Sequence, residues 1–297
     1  MTEFKEDDFK FLKMAVGTLI MIDVLVWILI LFPADLAAEG SGLYFLDVGQ
    51  GDSSLAIFPR SAGLGQDSGV KALIDGGPAN GLLQKNLESI LSVSDRYIDL
   101  IIISHPQIDH FGGLIEAVKN YKIGAVITNG EKSESVAWLE FVRILDENKI
   151  PIIGLSAGDK IKYRDFLFDI LWPEKIGIGG ANEQCLAMIL SGNGIRSFFG
   201  GDLDAAAEKE IAGKYDIDVD ILKVSHHGSK FSSDPEFLKE ISPLISIIEV
   251  GKNSYGHPTI QALERLKSAG SRIFRTDLNG LVNIKIEKGV LKILTDK

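Results

Sequence analysis

Leu100-Ile101-Ile102-Ile103-Ser104-His105-Pro106-Gln107-Ile108-Asp109-His110-Phe111-Gly112-Gly113 is the stretch from which the fold can be read. Its first four residues are a continuous apolar run, the pattern of a strand buried on both faces of a parallel sheet. Polar residues begin where that strand ends, and an amphipathic helix is expected over 113–120. The carboxyl end of such a strand is where α/β folds place ligands. His105, Asp109 and His110 lie within six residues and can turn three ligand atoms to one point. Pro106 stiffens the turn, and Gly112-Gly113 let backbone crowd past it.

The same arrangement recurs downstream. Gly200-Gly201-Asp202 follows an apolar strand at 195–199, and its carboxylate can bridge two ions. Ser225-His226-His227-Gly228-Ser229 follows another strand at 221–224. Adjacent side chains on an extended segment point to opposite sides, so one of His226 and His227 is expected as a ligand while the other packs or meets substrate. Asn253-Ser254-Tyr255-Gly256-His257-Pro258 places His257 and Tyr255 on the substrate side, able to donate to a leaving group. All five histidines of the 297-residue chain thus fall in three short motifs. Neutral imidazole clustered with Asp is a common setting for a divalent ion, which points to a metal-dependent hydrolase. Asn182 opens a strand and offers a neutral oxygen ligand, whereas Cys185 reads as a small buried residue. The Gly-rich turns Asp47–Asp52 and Asp75–Gly77 read as hairpin turns.

Around these motifs, strands are expected at 43–47, 54–58, 71–75, 123–128, 166–171, 185–190, 244–249 and 272–275, with a closing hairpin at 281–286 and 290–294. Helices fit 82–91, 134–148, 205–212, 235–241 and 260–268, and 61–69 reads as a hairpin loop. Strands and helices mixed along one chain, with no composition break, argue for a layered α/β domain. A net charge of −10 speaks against a broad nucleic-acid surface, although Lys223, Lys230, Lys252 and Arg275 lie near the histidine motifs. One cysteine excludes an intramolecular disulfide. Met14–Phe32 is a 19-residue run carrying one charge, Asp23. At about 1.5 Å per residue it nearly spans the roughly 30 Å hydrocarbon core. The chain divides accordingly into a leader at 1–10, a transmembrane signal anchor at 11–33, a linker at 34–42 and a domain at 43–297. A cleaved signal peptide ending near Ala38-Glu39-Gly40, or a buried soluble helix, is the rival reading. Lys5, Lys10 and Lys13 precede the run, which places the N-terminus in the cytoplasm and the domain outside it.

The ordered motifs resemble the metallo-β-lactamase superfamily, whose hallmark is a His-x-His-x-Asp-His loop, a downstream Gly-Asp and a later His. More narrowly, they are similar to the branch found in bacterial competence DNA-uptake channel proteins. Asp47–Asp52, His105–Gly113, Asn182, Gly201-Asp202, His226–Ser229 and Asn253–Pro258 occur in that branch's order. The resemblance covers about 43–294 and implies a four-layer αββα sandwich holding one or two divalent ions, Zn or Mn. It implies a firm metal site from Asp109, His110, Asp202 and His226 or His227. A weaker site includes His105, with Gln107 where the superfamily usually has His and Asn182 in place of a second missing His. A neutral amide is a weak ligand beside imidazole, which suits a harder ion such as Mn²⁺. The channel domain of the branch is replaced by a single N-terminal helix. The expected function is phosphodiester hydrolysis by a metal-activated water, with Asp109 or Asp202 orienting the water and His257 and Tyr255 assisting departure. Asp52, Ser229, Lys230 and Asn253 are the expected substrate contacts. A hydrolase of esters, lactones or amides on the same fold, or a binding module with a partly lost metal site, are the alternatives. The implied partners are a membrane and a nucleic acid or other phosphodiester, and no protein partner is specified.

Overall fold

The computed structural model describes residues 16–24, 41–59, 69–176, 184–287 and 290–297. Residues 16–24 are helical and exposed (α1). They belong to a unit, Met1–Glu39, that is separate from the compact unit Gly40–Lys297. Among the described residues no helix is long and apolar enough to cross a membrane. Most of the expected anchor at 11–33 lies outside the described residues, as do most of the expected linker and the loop at 61–68. Ser41 and Gly42, expected as linker, already belong to the first strand of the larger unit.

That unit is built on two sheets. The first runs β1 (Ser41–Phe45), β2 (Ser54–Phe58), β3 (Val70–Ile74), β4 (Tyr97–Ile102), β5 (Lys122–Thr128) and β6 (Ile152–Gly154). The second runs β7 (Lys160–Tyr163), β8 (Phe166–Trp172), β9 (Ala187–Gly192), β10 (Ile195–Phe199), β11 (Ile221–Lys223), β12 (Ile245–Ile248) and β13 (Arg272–Arg275). The chain then returns to the first sheet through β14 (Val282–Glu287) and β15 (Val290–Thr295). Spatial order is β15-β14-β1-β2-β3-β4-β5-β6 in one sheet and β13-β12-β11-β10-β9-β8-β7 in the other. Each half opens with antiparallel neighbours and ends with parallel ones: β3 to β6 in the first sheet, β10 to β13 in the second. Parallel neighbours need crossovers, and helices supply most of them. They are α2 (Leu82–Ile90), α4 (Leu114–Asn120) and α5 (Val136–Glu147) in the first half, and α6 (Ala205–Lys214), α7 (Pro235–Ile241) and α8 (Ile260–Ser268) in the second.

Strand alternation creates three cores. On β1, Leu43 and Phe45 face the other sheet; on β2, Ala56 and Phe58 do, while Leu55 faces the helices. Leu100 and Ile102 of β4 face inward, whereas Ile101 and Ile103 meet Phe111, Leu114 and Phe141. Phe199 of β10 enters the intersheet core opposite Phe45, and Phe198 turns outward onto Phe237 of α7. This is the expected αββα sandwich, and each helix–sheet interface has its own core.

Several boundaries differ from the sequence reading. A short helix, α3 (Ile108–Phe111), sits inside the first histidine motif, where a plain turn was expected. Cys185 lies just before β9 rather than within it. Segment 225–228 is a tight turn in which His226 and His227 are both left-handed, at φ 52. The premise of an extended segment therefore does not hold there.

Candidate metal centre

The site forms where loops from both sheets meet at the carboxyl ends of the parallel strands. Main-chain hydrogen bonds lace the three loops of the first sheet together. Asp52 N donates to Asp109 O, Gly77 N to Asp52 O, Gly76 N to His110 O and Gly113 N to Gly77 O. Such close backbone approach requires glycine. A Cβ on Gly51, which has φ +153, would lie 2.3 Å from Asp109 O. From the second sheet, the loop after β10 delivers Asp202 and the turn after β11 delivers His227. His226 N donating to Gly201 O at 3.0 Å ties those two loops together. The Cys185 thiol accepts a hydrogen bond from Asp202 N at 3.3 Å, so this buried residue also steadies the Asp202 loop.

His105, His110 and His227 are buried, and each has its Nδ1 engaged by an oxygen. Ser104 Oγ donates its single hydrogen to Asp75 Oδ2 at 2.8 Å, so toward His105 Nδ1, 3.0 Å away, it can act only as an acceptor. His110 Nδ1 lies 3.0 Å from Asp75 Oδ2. His227 Nδ1 lies 2.9 Å from Glu249 O and 3.0 Å from Asp52 Oδ1. Carboxylates and carbonyls accept only, so all three Nδ1 atoms carry hydrogen and all three Nε2 atoms are left to present lone pairs. Those three Nε2 atoms and Asp202 Oδ1 are buried without a hydrogen-bond partner. His105, His110 and Asp202 place ligand atoms within 4.8 Å of one another, as do Asp109, His110 and His227. Imidazoles with Nδ1 fixed by carboxylate or carbonyl are the usual support for metal ligands. Four orphaned donors converging in a buried space fit a divalent ion, and the mixed nitrogen and oxygen set suits Zn²⁺ or Mn²⁺.

Electrostatics follow from that crowding. Burial, helped by positive charge on His110, drives His105 down to about 4. Burial also opposes charge on His110, but the Asp202 and Asp75 carboxylates outweigh it and hold its pKa well above the usual range. A divalent ion would displace that proton. Burial would raise Asp202, yet His110 and His227 hold it well below the ordinary carboxylate range. Asp109 is half-buried, its Oδ2 3.6 Å from His227 Nε2; burial raises its pKa, but His227 and His110 bring it below normal.

The remaining expected residues divide. His226 is half-buried, with Nε2 3.7 Å from Asp202 Oδ2. Its ring lies 5.5 Å from that of His257, which lies 5.8 Å from the exposed Tyr255 ring. These three form a file leading outward from His227. Burial lowers the pKa of both His226 and His257. Gln107 occupies the position before the first residue of α3 without a side-chain capping bond, and Asn182 lies outside the described residues.

Three expected substrate contacts are placed otherwise. Asp52 is buried behind His227 and paired with the Lys223 ammonium. Ser229 is also buried, its Oγ accepting from Phe231 N. Asn253 spends both amide hydrogens on Gly251 O and His257 O, and its oxygen accepts from Tyr255 N and His257 N. It braces the Tyr255–His257 turn and has no capacity left for substrate. Lys230 and Lys252 are exposed, whereas Arg275 is occupied by Asp277. Sequence reading missed Asp75, Ser104 and Glu249, which hold the imidazoles. The strand-end position of Asp75, before two glycines, was the available signal.

Comparison with known proteins agrees with this geometry. The metallo-beta-lactamase superfamily model matches residues 57–251. The chain belongs to that superfamily. ComE operon protein 3 of Bacillus subtilis (strain 168) is 29% identical over 283 residues, covering 89% of this chain and 35% of that protein. Competence protein ComA of Neisseria gonorrhoeae is 27% identical over 250 residues, covering 83% and 32%. The chain therefore spans about a third of the length of these curated relatives. Among solved structures, a long form RNase Z from yeast aligns with TM-score 0.55 at 13% identity, covering 84% of this chain and 42% of that one. CmlA, a diiron beta-hydroxylase from Streptomyces venezuelae, aligns at 0.54 and 13%, covering 84% and 54%. At such identities these two speak for the fold alone.

Proposed function

We propose that the protein is a metal-dependent hydrolase of phosphodiesters, nuclease-like, anchored at the cell membrane with its metal centre outside the cytoplasm. The observation that carries the metal-dependent part is the convergence of three imidazole Nε2 atoms and Asp202 Oδ1, all buried and unpartnered. His105, His110, His227, Asp202 and Asp109 would hold a divalent ion, which would supply Lewis acidity and lower the pKa of a water. Asp109, ionised and half-exposed at the mouth, accepts a hydrogen from the attacking water and orients it. His257, kept neutral by burial, offers a hydrogen bond to the departing oxygen, and Tyr255 stands beside it at the entrance. Lys230 and Lys252, both exposed, are available to phosphate oxygens. The competence names of the curated relatives favour DNA among phosphodiesters. The 19-residue apolar run at 14–32, with lysines before it, supports the anchor and its orientation.

The test is hydrolysis of single-stranded DNA and of a chromogenic phosphodiester by the full chain in Mn²⁺ or Zn²⁺, with metal content measured in parallel. Asp202→Ala is expected to lose bound metal and at least about 100-fold in rate, as loss of a principal electrostatic group does. Unchanged metal content and rate in that variant would rule the enzyme reading out. Turnover of carboxylic esters alone would move the substrate class, and metal binding without turnover would leave a binding module.

A further inference from the structure

Lys223 lies beneath the metal centre and is not used by the mechanism above. It is fully buried at the end of β11, in the second sheet, and its ammonium contacts Asp52 Oδ2 from the first sheet. Gly201 O lies 3.4 Å from the same nitrogen. A small cavity of about 10 Å³ adjoins it, lined in part by Asp52, Asp75, Ser104, Gly201 and Glu249. Asp52 also belongs to two groups able to hold an ion, one with Asp75 and His110 and one with Asp202 and His227. Its Oδ1 is buried and lies 3.0 Å from His227 Nδ1.

Carboxylate and carbonyl oxygens gathered around one buried point are the donors that hard divalent cations take. Here that point is filled by an ammonium carried on the chain itself. An ionised Asp52 buried this deeply needs a positive partner, and the Lys223 ammonium is the cation in contact with it. We infer that Lys223 is a tethered replacement for a second cation, occupying an oxygen-lined position beneath the metal centre and keeping Asp52 off any bound ion. Asp52 then acts through His227, as a positioning residue held by Lys223. The inference rests on the metal-centre reading above and adds the claim that this lysine limits how many ions bind.

Removing the ammonium while keeping the apolar stem tests this. Lys223→Met leaves Asp52 uncompensated and enlarges a cavity that already has room for about one water. The full chain in detergent, wild type and Lys223→Met, is dialysed against saturating Mn²⁺, and bound manganese is counted by mass spectrometry. The variant is expected to hold one more Mn²⁺ per chain than wild type. Its metal-free melting temperature is expected to fall by roughly 10 °C and to recover in Mn²⁺ by more than wild type gains. Equal, non-zero counts in the two proteins overturn the inference and leave the metal centre standing. A wild-type chain that binds no ion refutes the metal-centre reading itself. If Lys223→Met does not fold, Asp52→Asn in the otherwise wild-type chain decides the matter. Lys223 already withholds Asp52 from the ion, so that variant should keep the wild-type count at saturation, and a lower count overturns the inference.

Discussion

Asp75 holds three hydrogens at once: Ser104 N and Ser104 Oγ, each at 2.8 Å, and His110 Nδ1 at 3.0 Å. Its backbone is left-handed, at φ 55, a conformation that Asn tolerates. Asp75→Asn therefore preserves the turn but removes one acceptor oxygen. An amide NH₂ turned toward His110 Nδ1–H opposes donor to donor, and turned toward Ser104 it loses that clasp instead. Metal affinity is expected to fall about 10–100-fold, as it does when such supporting groups are lost, and the melting temperature of the metal-free chain to fall by a few degrees, because a buried donor is left unpaired. Isothermal titration with Zn²⁺ or Mn²⁺ checks the first and thermal denaturation the second. The ligand-type residues stood out in the sequence because His and Asp were concentrated at strand ends. Asp75 did not, because a carboxylate before two glycines is equally the mark of a hairpin turn. Its partner His110 lies 35 residues away. Asp52 and Asn253 were assigned to substrate for a similar reason: residue type shows hydrogen-bonding capacity but not what already consumes it.

At the scale of elements, helix starts and apolar strands were legible, and exposed strands and tight turns were not. Ser135, Asp204, Asp234 and Thr259 each accept from main-chain N–H groups of the first turn of α5, α6, α7 and α8, a pattern with a known sequence signature. By contrast, β6 (Ile-Ile-Gly) is exposed throughout and β7 (Lys-Ile-Lys-Tyr) is at best half-buried, so neither shows the expected alternation. Helix α6 carries a buried carboxylate whose role also escapes sequence patterning. Glu208 Oε2 accepts from Asp234 N at 2.8 Å and so pins the loop before α7. Burial raises its pKa to about 7, with the nearby Asp234 carboxylate adding to the rise. A folded-state value above the unfolded one, near 4.3–4.5, means the folded chain binds the proton more tightly. Its stabilising contribution is complete below about pH 4.5 and is lost as pH rises to about 7, amounting to roughly 3 kcal/mol. Glu208→Gln keeps an acceptor for Asp234 N and cannot ionise. Urea unfolding from pH 5 to 8 should show the variant near wild type at pH 5 and more stable at pH 8. A constant difference across that range would reject this assignment.

For the whole molecule, the two sheets must hold a fixed spacing, because each supplies part of the candidate metal centre. Phe45 and Phe199 bridge the sheets on the two strands that lead into the site. Their rings face each other across the intersheet core with centroids 6.2 Å apart and planes 15° from parallel, and both are buried. The chain leaving Phe45 reaches Asp52, and the chain leaving Phe199 reaches Asp202 three residues later. A layered α/β domain was legible from strand–helix order, and the sandwich from the resemblance that the ordered motifs carry. This pairing was not, since alternation shows that a side chain faces inward without naming what it faces. Phe45→Ala is expected to destabilise the chain by about 3–5 kcal/mol, the usual cost of emptying a buried aromatic site. Shortening one side chain between the sheets also lets the loops after β1 and β10 shift relative to each other. Metal affinity should therefore weaken in Phe45→Ala, although residue 45 touches no ligand. Leu145→Ala, which empties an equally buried site on α5 in the helix–sheet core, should also cost several kcal/mol and leave Asp52 and Asp202 in register. Denaturant unfolding and metal titration of the two variants side by side separate the effects. Equal losses of affinity would mean that the centre follows global stability rather than the spacing of the sheets.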